Sequence, residues 1–218
     1  MINKTLSKRD AGKESRRARV CKAAAELIRR NPSGMATMAD ISCLSGVSER
    51  TIYNLFGTRD NIFSRIFHED SIKFENNILN NKFKNSIDKI YKSIDIAFLM
   101  YENDINFYRC DVWYSAWQFD QEMRVEFNYD RVRIWKLIIE EAERSGYLDV
   151  KDNLHLASQS IIYLWRGAMS DWIGGHQELD QFRSSINFGI TSFLLSWSTA
   201  IGREEIMNYV RYNFPKQI

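Results

Sequence analysis

The sequence predicts an all-α fold, a small three-helix head followed by a larger helical body. Three observations carry this. Apolar residues recur at three- and four-residue spacing in every periodic segment, the pattern of a helix with one buried face. Prolines, which break helix interiors, occur only at Pro32 and Pro215. Glycines and Ser or Thr residues stand where those segments stop and start.

Residues 1–14 show no periodicity and are expected to form a disordered basic arm. Val20, Ala24, Leu27 and Ile28 mark a first helix, which Pro32, Ser33 and Gly34 end. Thr37 is a good N-cap with Asp40 three residues on, so a short helix starts there and turns Met38, Ile41 and Leu44 inward. Gly46 stops it. Ser48 caps a third helix carrying Ile52, Leu55 and Phe56, which Gly57 ends. Thr58 caps a fourth that continues through Phe63, Ile66, Phe67, Phe74 and Ile78.

Later segments also read as helix. Ile87 to Tyr101 mark one, Val112, Trp113 and Trp117 a shorter one, and Val132 to Ala142 a long one ending at Gly146. Leu154 to Trp172 and Phe182 to Trp197 mark two strongly apolar helices, and a last short one spans about 204–212. The expected division is an arm over 1–14, a head over 15–60 and a body over 61–218.

Composition narrows the function. Cys21, Cys43 and Cys110 are far apart and form no CxxC pair, so neither a zinc site nor a disulfide framework is indicated. His68, His155 and His176 are too dispersed for a metal site, and no catalytic constellation or phosphate loop stands out, which disfavours an enzyme. The polar N-terminus lacks an apolar core for secretion and no apolar run reaches membrane length, so a cytoplasmic protein without a membrane or cofactor is expected. Residues 1–60 hold 12 Lys/Arg against 6 Asp/Glu, whereas residues 61–218 hold 18 against 22. A basic head on an acidic body suits a polyanionic partner of the head.

The spacing Ile41–Gly46–Val47–Ile52 is that of a helix-turn-helix: the apolar residues pack two helices, Gly46 closes the turn, and the outer face of residues 48–54 is left to enter a major groove. The run from Thr37 to Ile62, with Thr37, Ile41, Gly46, Val47, Ser48, Thr51, Tyr53, Phe56 and Ile62 in place, resembles the TetR family of bacterial transcriptional regulators. The motif covers about residues 15–67; the rest agrees only in helical character and length. Arg59 stands where the family usually has lysine, keeping the charge and adding bidentate geometry toward phosphate. Ser42 and Ser45 stand where small alanines are usual, and their hydroxyls need partners.

Thr37 and Ser48, at helix N-termini, suit phosphate contact or capping alone. Tyr53 and Arg59 flank the recognition helix as phosphate anchors, with core packing the alternative for Tyr53. Glu49, Arg50, Thr51 and Asn54 are candidate base readers, Arg50 for guanine, Asn54 for adenine and Glu49 for a cytosine amino group, with a solvated partner for Arg50 the alternative for Glu49. Arg16, Arg17 and Arg19 are candidates for contact with phosphate or the minor groove, with a merely solvated basic arm the alternative.

The resemblance implies a body that binds a small molecule and dimerises through its last two long helices. Independently, the two apolar segments carry small residues at Ala157, Gly167, Ala168, Ser185 and Gly189, which allow close helix approach, either between two copies or inside one. Tyr101, Phe107, Cys110, Trp113, Tyr114, Trp117, Trp135 and Met169 are candidates for an aromatic-lined ligand pocket, with plain core the alternative. The expected protein is a ligand-responsive regulator, a repressor that binds a pseudo-palindromic double-stranded DNA operator as a homodimer and is released by a small-molecule effector. The rival is a helical ligand-binding or scaffold protein that does not bind DNA.

Overall fold

A computed structural model describes the backbone of residues 8–31, 36–113 and 121–214, and their side chains except those of Lys8 and residues 111–130. The described residues are helical, with an isolated antiparallel bridge at Leu148 and Ser198. The helices are α1 (Lys8–Arg30), α2 (Met38–Ser45), α3 (Glu49–Phe56), α4 (Arg59–Leu79), α5 (Ser86–Asn103), α6 (Ile105–Trp113), α7 (Gln121–Arg144), α8 (Leu154–Ile173), α9 (Leu179–Trp197) and α10 (Ala200–Asn213). None is long and apolar enough to cross a membrane.

The chain forms two compact units. The first ends at Asp70 and also takes in Asp104–Met123; the second comprises Ser71–Asn103 and the chain from Arg124 onward. The expected boundary at residue 60 therefore falls inside α4, whose first turns belong to the first unit.

In the first unit, α1 and α2 pack together and α3 closes over both. The core is Val20, Ala24 and Ile28 of α1, Ile41 of α2, Val47 of the turn, Ile52 of α3, and Ile62, Phe63 and Phe67 of α4, all buried. From α6, Phe107 packs edge-on against Phe67 at 5.7 Å, and Tyr108 donates a hydrogen bond of 2.9 Å to the Asp70 carboxylate. Arg29, near the end of α1, pairs with Asp104 at 2.6 Å.

Four expectations are corrected here. Helix α1 begins at Lys8, so residues 8–14 are not a disordered arm. Asp10 lies in the first turn, where a carboxylate opposes the helix dipole favourably, and Glu14 reaches Arg65 of α4 at 2.7 Å. Leu44 is not a core residue: it is 40% exposed. The buried stripe of α2 runs through Met38, Ile41 and Ser45, and Leu44 lies about a quarter turn away from it. Ser45 can occupy the core because its hydroxyl reaches the Ser42 carbonyl and accepts from the Val47 N–H. Two helices also begin earlier than periodicity suggests. Helix α6 starts at Ile105, and α10 starts at Ala200 because Thr199 caps it through the Gly202 N–H. Tyr114 and Trp117 lie outside the described residues.

The second unit is built on α8 and α9, which pack side by side, with α5 and α10 against α9. Its centre is aromatic: Phe98, Tyr101, Trp135, Trp165, Trp172 and Phe182 form a connected cluster with ring centroids 4.8–6.5 Å apart. Tyr91 stacks on Tyr209 at 4.1 Å and bonds Thr191 through its hydroxyl, tying α5 to α10 and α9; burial pushes the Tyr91 phenol up to about 12. Helix α10 docks tightly on the loop after α7, because a Cβ on Gly202 would lie 1.8 Å from the Tyr147 carbonyl oxygen. Arg133 of α7 grips Glu75 with two hydrogen bonds, of 3.0 and 2.6 Å, which hold the Glu75 carboxyl below its usual range.

Two outcomes follow. Gly202→Ala sets a methyl against a backbone carbonyl that no rotamer change can clear, and urea denaturation should show a loss of about 3 kcal/mol. Because the Glu75 carboxyl is depressed when folded, its contribution is present above its unfolded value and lost as pH falls through the folded one. Glu75→Gln should thus be less stable than wild type at neutral pH, and the difference should disappear in acid.

Candidate nucleic-acid interface

The site is built from the ends of two short helices. At the start of α2, Thr37 and Asp40 form a capping box: the Asp40 N–H donates to the Thr37 hydroxyl oxygen at 3.1 Å, and both the Thr37 N–H and hydroxyl donate to the Asp40 carboxylate, at 2.9 and 2.6 Å. Those bonds from Thr37 hold the Asp40 carboxyl below its ordinary value. Helix α2 ends at Gly46, whose φ of 64° is the left-handed conformation that closes the turn.

Ser48 then caps α3 by accepting from the Thr51 N–H, and the two hydroxyls lie 2.9 Å apart. Ile52 is the fully buried side chain of α3. With that one anchor inward, Glu49, Arg50, Tyr53 and Asn54 are exposed. Tyr53 is 50% exposed, which removes core packing as an account of it.

Thr37, Met38, Ala39, Glu49, Tyr53, Arg59 and Asp60 line one open concavity of about 510 Å³. The structure thus brings together Thr37, Tyr53 and Arg59, predicted from the sequence to anchor phosphate. It also brings Glu49, on the exposed face of α3, to the same hollow. Asp60 was not foreseen as a lining residue; it lies 3.5 Å from Arg59. Its sequence signal was its place beside that arginine in the first turn of α4. Arg19 of α1, exposed, approaches the turn of the motif, its guanidinium 3.9 Å from where a Cβ on Gly46 would stand.

The eight pocket candidates divide between the units. Phe107 and Cys110 are buried in the first, and Tyr101, Trp135 and Met169 belong to the second, where the Trp165 indole N–H donates to the Tyr101 hydroxyl at 3.0 Å. The Trp113 side chain, Tyr114 and Trp117 lie outside what is described. The small residues of α8 and α9 divide too. Gly189 serves packing within the chain, since a Cβ there would come within 2.7 Å of Leu164, whereas Gly167 is exposed with open space around it.

No protein-family model matches the chain, and no curated protein matches its sequence. Solved structures do. Thermus thermophilus FadR, a TetR-family transcriptional repressor in complex with lauroyl-CoA, superposes with a TM-score of 0.68 at 13% identity, over 82% of this chain and 93% of that one. SmeT, repressor of the Stenotrophomonas maltophilia multidrug efflux pump SmeDEF, gives 0.66 at 12% identity, over 84% and 91%. Bacillus subtilis FadR in complex with stearoyl-CoA gives 0.63 at 21% identity, over 78% and 95%. The chain has the fold of these regulators.

If the exposed face of α3 reads a DNA groove, two kinds of contact are separable by mutation. Arg50→Ala should relax base preference at one position of a bound duplex by about 1–3 kcal/mol of discrimination. Arg59→Ala should weaken binding to all duplexes alike and reduce the slope of affinity against salt by about one ion. Fluorescence anisotropy across a salt series reads both, and unchanged values for both variants would refute the assignment.

Proposed function

We propose that this protein is a ligand-responsive transcriptional regulator, a repressor that binds a pseudo-palindromic operator as a homodimer and is released by a small molecule. One observation carries the DNA-binding half: Thr37, Tyr53 and Arg59 gather around a single open hollow beside the exposed face of α3. A phenol and a guanidinium converging there, beside the helix N-terminus that Thr37 caps, suit a phosphate, and phosphate contacts fix the register in which a helix enters the major groove. Arg50 and Asn54 then face base edges. Ser48 and Thr51, already bonded to each other, sit at the groove end of the same helix.

The dimer is supported by an unusual surface on α8 and α9. Leu156 and Tyr163 of α8 and Phe188 of α9 are 59%, 58% and 65% exposed, and Gly167 lies on the same face of α8 as Leu156 and Tyr163. Large apolar side chains beside a glycine suit burial against a second copy of the same two helices. Two heads so joined would address successive major grooves, with centres about 34–36 Å apart or a multiple of that.

The effector site is the aromatic centre of the second unit together with the neighbouring candidates, from Tyr101 and Trp135 to Met169. That centre already accepts a cation on a ring face, with the Arg183 guanidinium 5.1 Å from the Phe98 centroid. A ligand releases DNA only to the extent that it binds the non-binding state more tightly.

The test is a gel shift of the full chain with the DNA upstream of its own gene, alongside sedimentation at micromolar concentration and tryptophan quenching by long-chain acyl-CoA and flat aromatic cations. A salt-sensitive shift, a dimer and quenching by a compound that also abolishes the shift are expected. A monomer that shifts no DNA would leave the helical scaffold as the better account.

A further inference from the structure

The third residue of a helix commonly reaches back to the N-cap, and α2 does this through Asp40, which accepts from Thr37. Helix α4 has Asn61 at the corresponding place, and its side chain does something else. Its backbone N–H is served by the Thr58 hydroxyl at 3.2 Å, but its amide nitrogen passes over the turn and donates to the Phe56 carbonyl, the last of α3, at 2.7 Å. The same nitrogen lies 3.6 Å from where a Cβ on Gly57 would be.

The chemistry of the two positions is opposite. An acid at position 40 accepts N–H groups; only a donor at position 61 can hold a carbonyl. The bond also meets a need. Helix α3 has eight residues and so leaves four carbonyls without partners of their own inside it. The Gly57 N–H serves the Tyr53 carbonyl at 2.8 Å, and Asn61 serves that of Phe56. Asn61 stands two residues after Arg59 in the first turn of α4. One joint therefore links the arginine that grips phosphate to the helix that carries Arg50 and Asn54. Over the roughly 12 Å length of such a helix, play at its C-terminal end becomes a tilt of the base-reading side chains.

We propose that Asn61 is a positioning residue that registers the recognition helix against the phosphate anchor, and so sets how sharply the head separates its preferred sequence from other DNA. This rests on the DNA-binding reading above. Asn61 touches no base in this account; it acts through α3.

The experiment uses the full chain and two duplexes: one selected by the wild-type protein from a random pool, and a scrambled version of it. Asn61→Asp keeps the shape but sets a carboxylate against a carbonyl, and Asn61→Ala removes the group. Both should lower the ratio of selected to scrambled affinity, by about tenfold for the first and about threefold for the second. Binding to the scrambled duplex and the salt slope should stay within twofold of wild type, because Arg59 and Tyr53 remain. Base preference at the positions read by Arg50 and Asn54 should flatten together. Ratios within twofold of wild type for both variants would overturn the proposal, as would a parallel loss of scrambled binding, which marks a collapsed head. If the wild type selects nothing from the pool, the regulator reading fails first and this proposal with it.

Discussion

A two-turn helix cannot hold itself in water, because nucleation is costly and most of its backbone groups lie at an end. The site depends on that constraint. Helix α3 has eight residues and a single fully buried side chain, Ile52. It keeps its place because both ends are tied: Ser48 and Thr51 at one, Gly57 and Asn61 at the other. Fixing a helix by its ends and one anchor leaves one face of it exposed, through Glu49, Arg50, Tyr53 and Asn54, and free for a partner.

The same economy shapes the electrostatics. Arg59 shares the hollow with two acids, Glu49 and Asp60, and a third, Asp40, is bonded to Thr37 at its edge. Asp40 stabilises the start of α2 through its bonds to Thr37, yet its charge opposes a phosphate there. A phosphate approaching Thr37 meets a hydroxyl and an N–H already given to Asp40. That leaves Tyr53 and Arg59 as the groups of the hollow through which the proposed phosphate contact would run.

The body follows different physics. Its aromatic rings meet edge-on and stacked, and its buried hydroxyls find partners, as Tyr91 does in Thr191 and Tyr101 in Trp165. Close approach of backbones is used inside the chain at Gly189 and Gly202, where a methyl would strike Leu164 or the Tyr147 carbonyl. Leu156, Tyr163 and Phe188 stay exposed while Ile161 of α8 and Ile186 and Ile190 of α9 are buried, so each helix has a core face distinct from this apolar one.

By itself the sequence determined the local order of the head. Thr37, Gly46, Ser48 and Gly57 dictate where α2 and α3 start and stop, because capping bonds and left-handed turns span only a few residues. The exposure of Glu49, Arg50 and Asn54 followed from Ile41, Val47 and Ile52 facing inward. What only the tertiary structure decided involves partners distant in the chain or a choice between two faces. Residues 8–14 are helical where Glu14 meets Arg65, and Leu44 yields the core to Ser45 because α1 and α3 cover a face of α2 about a quarter turn away from it. The sequence grouped Phe107 and Cys110 with Tyr101, Trp135 and Met169, yet they fall in different units, since composition reports that rings are abundant but not which helices bring them together. Asn61 shows the limit most plainly. Its neighbours in the sequence suggest an ordinary first turn, and only the fold shows its amide turned back onto the end of the preceding helix.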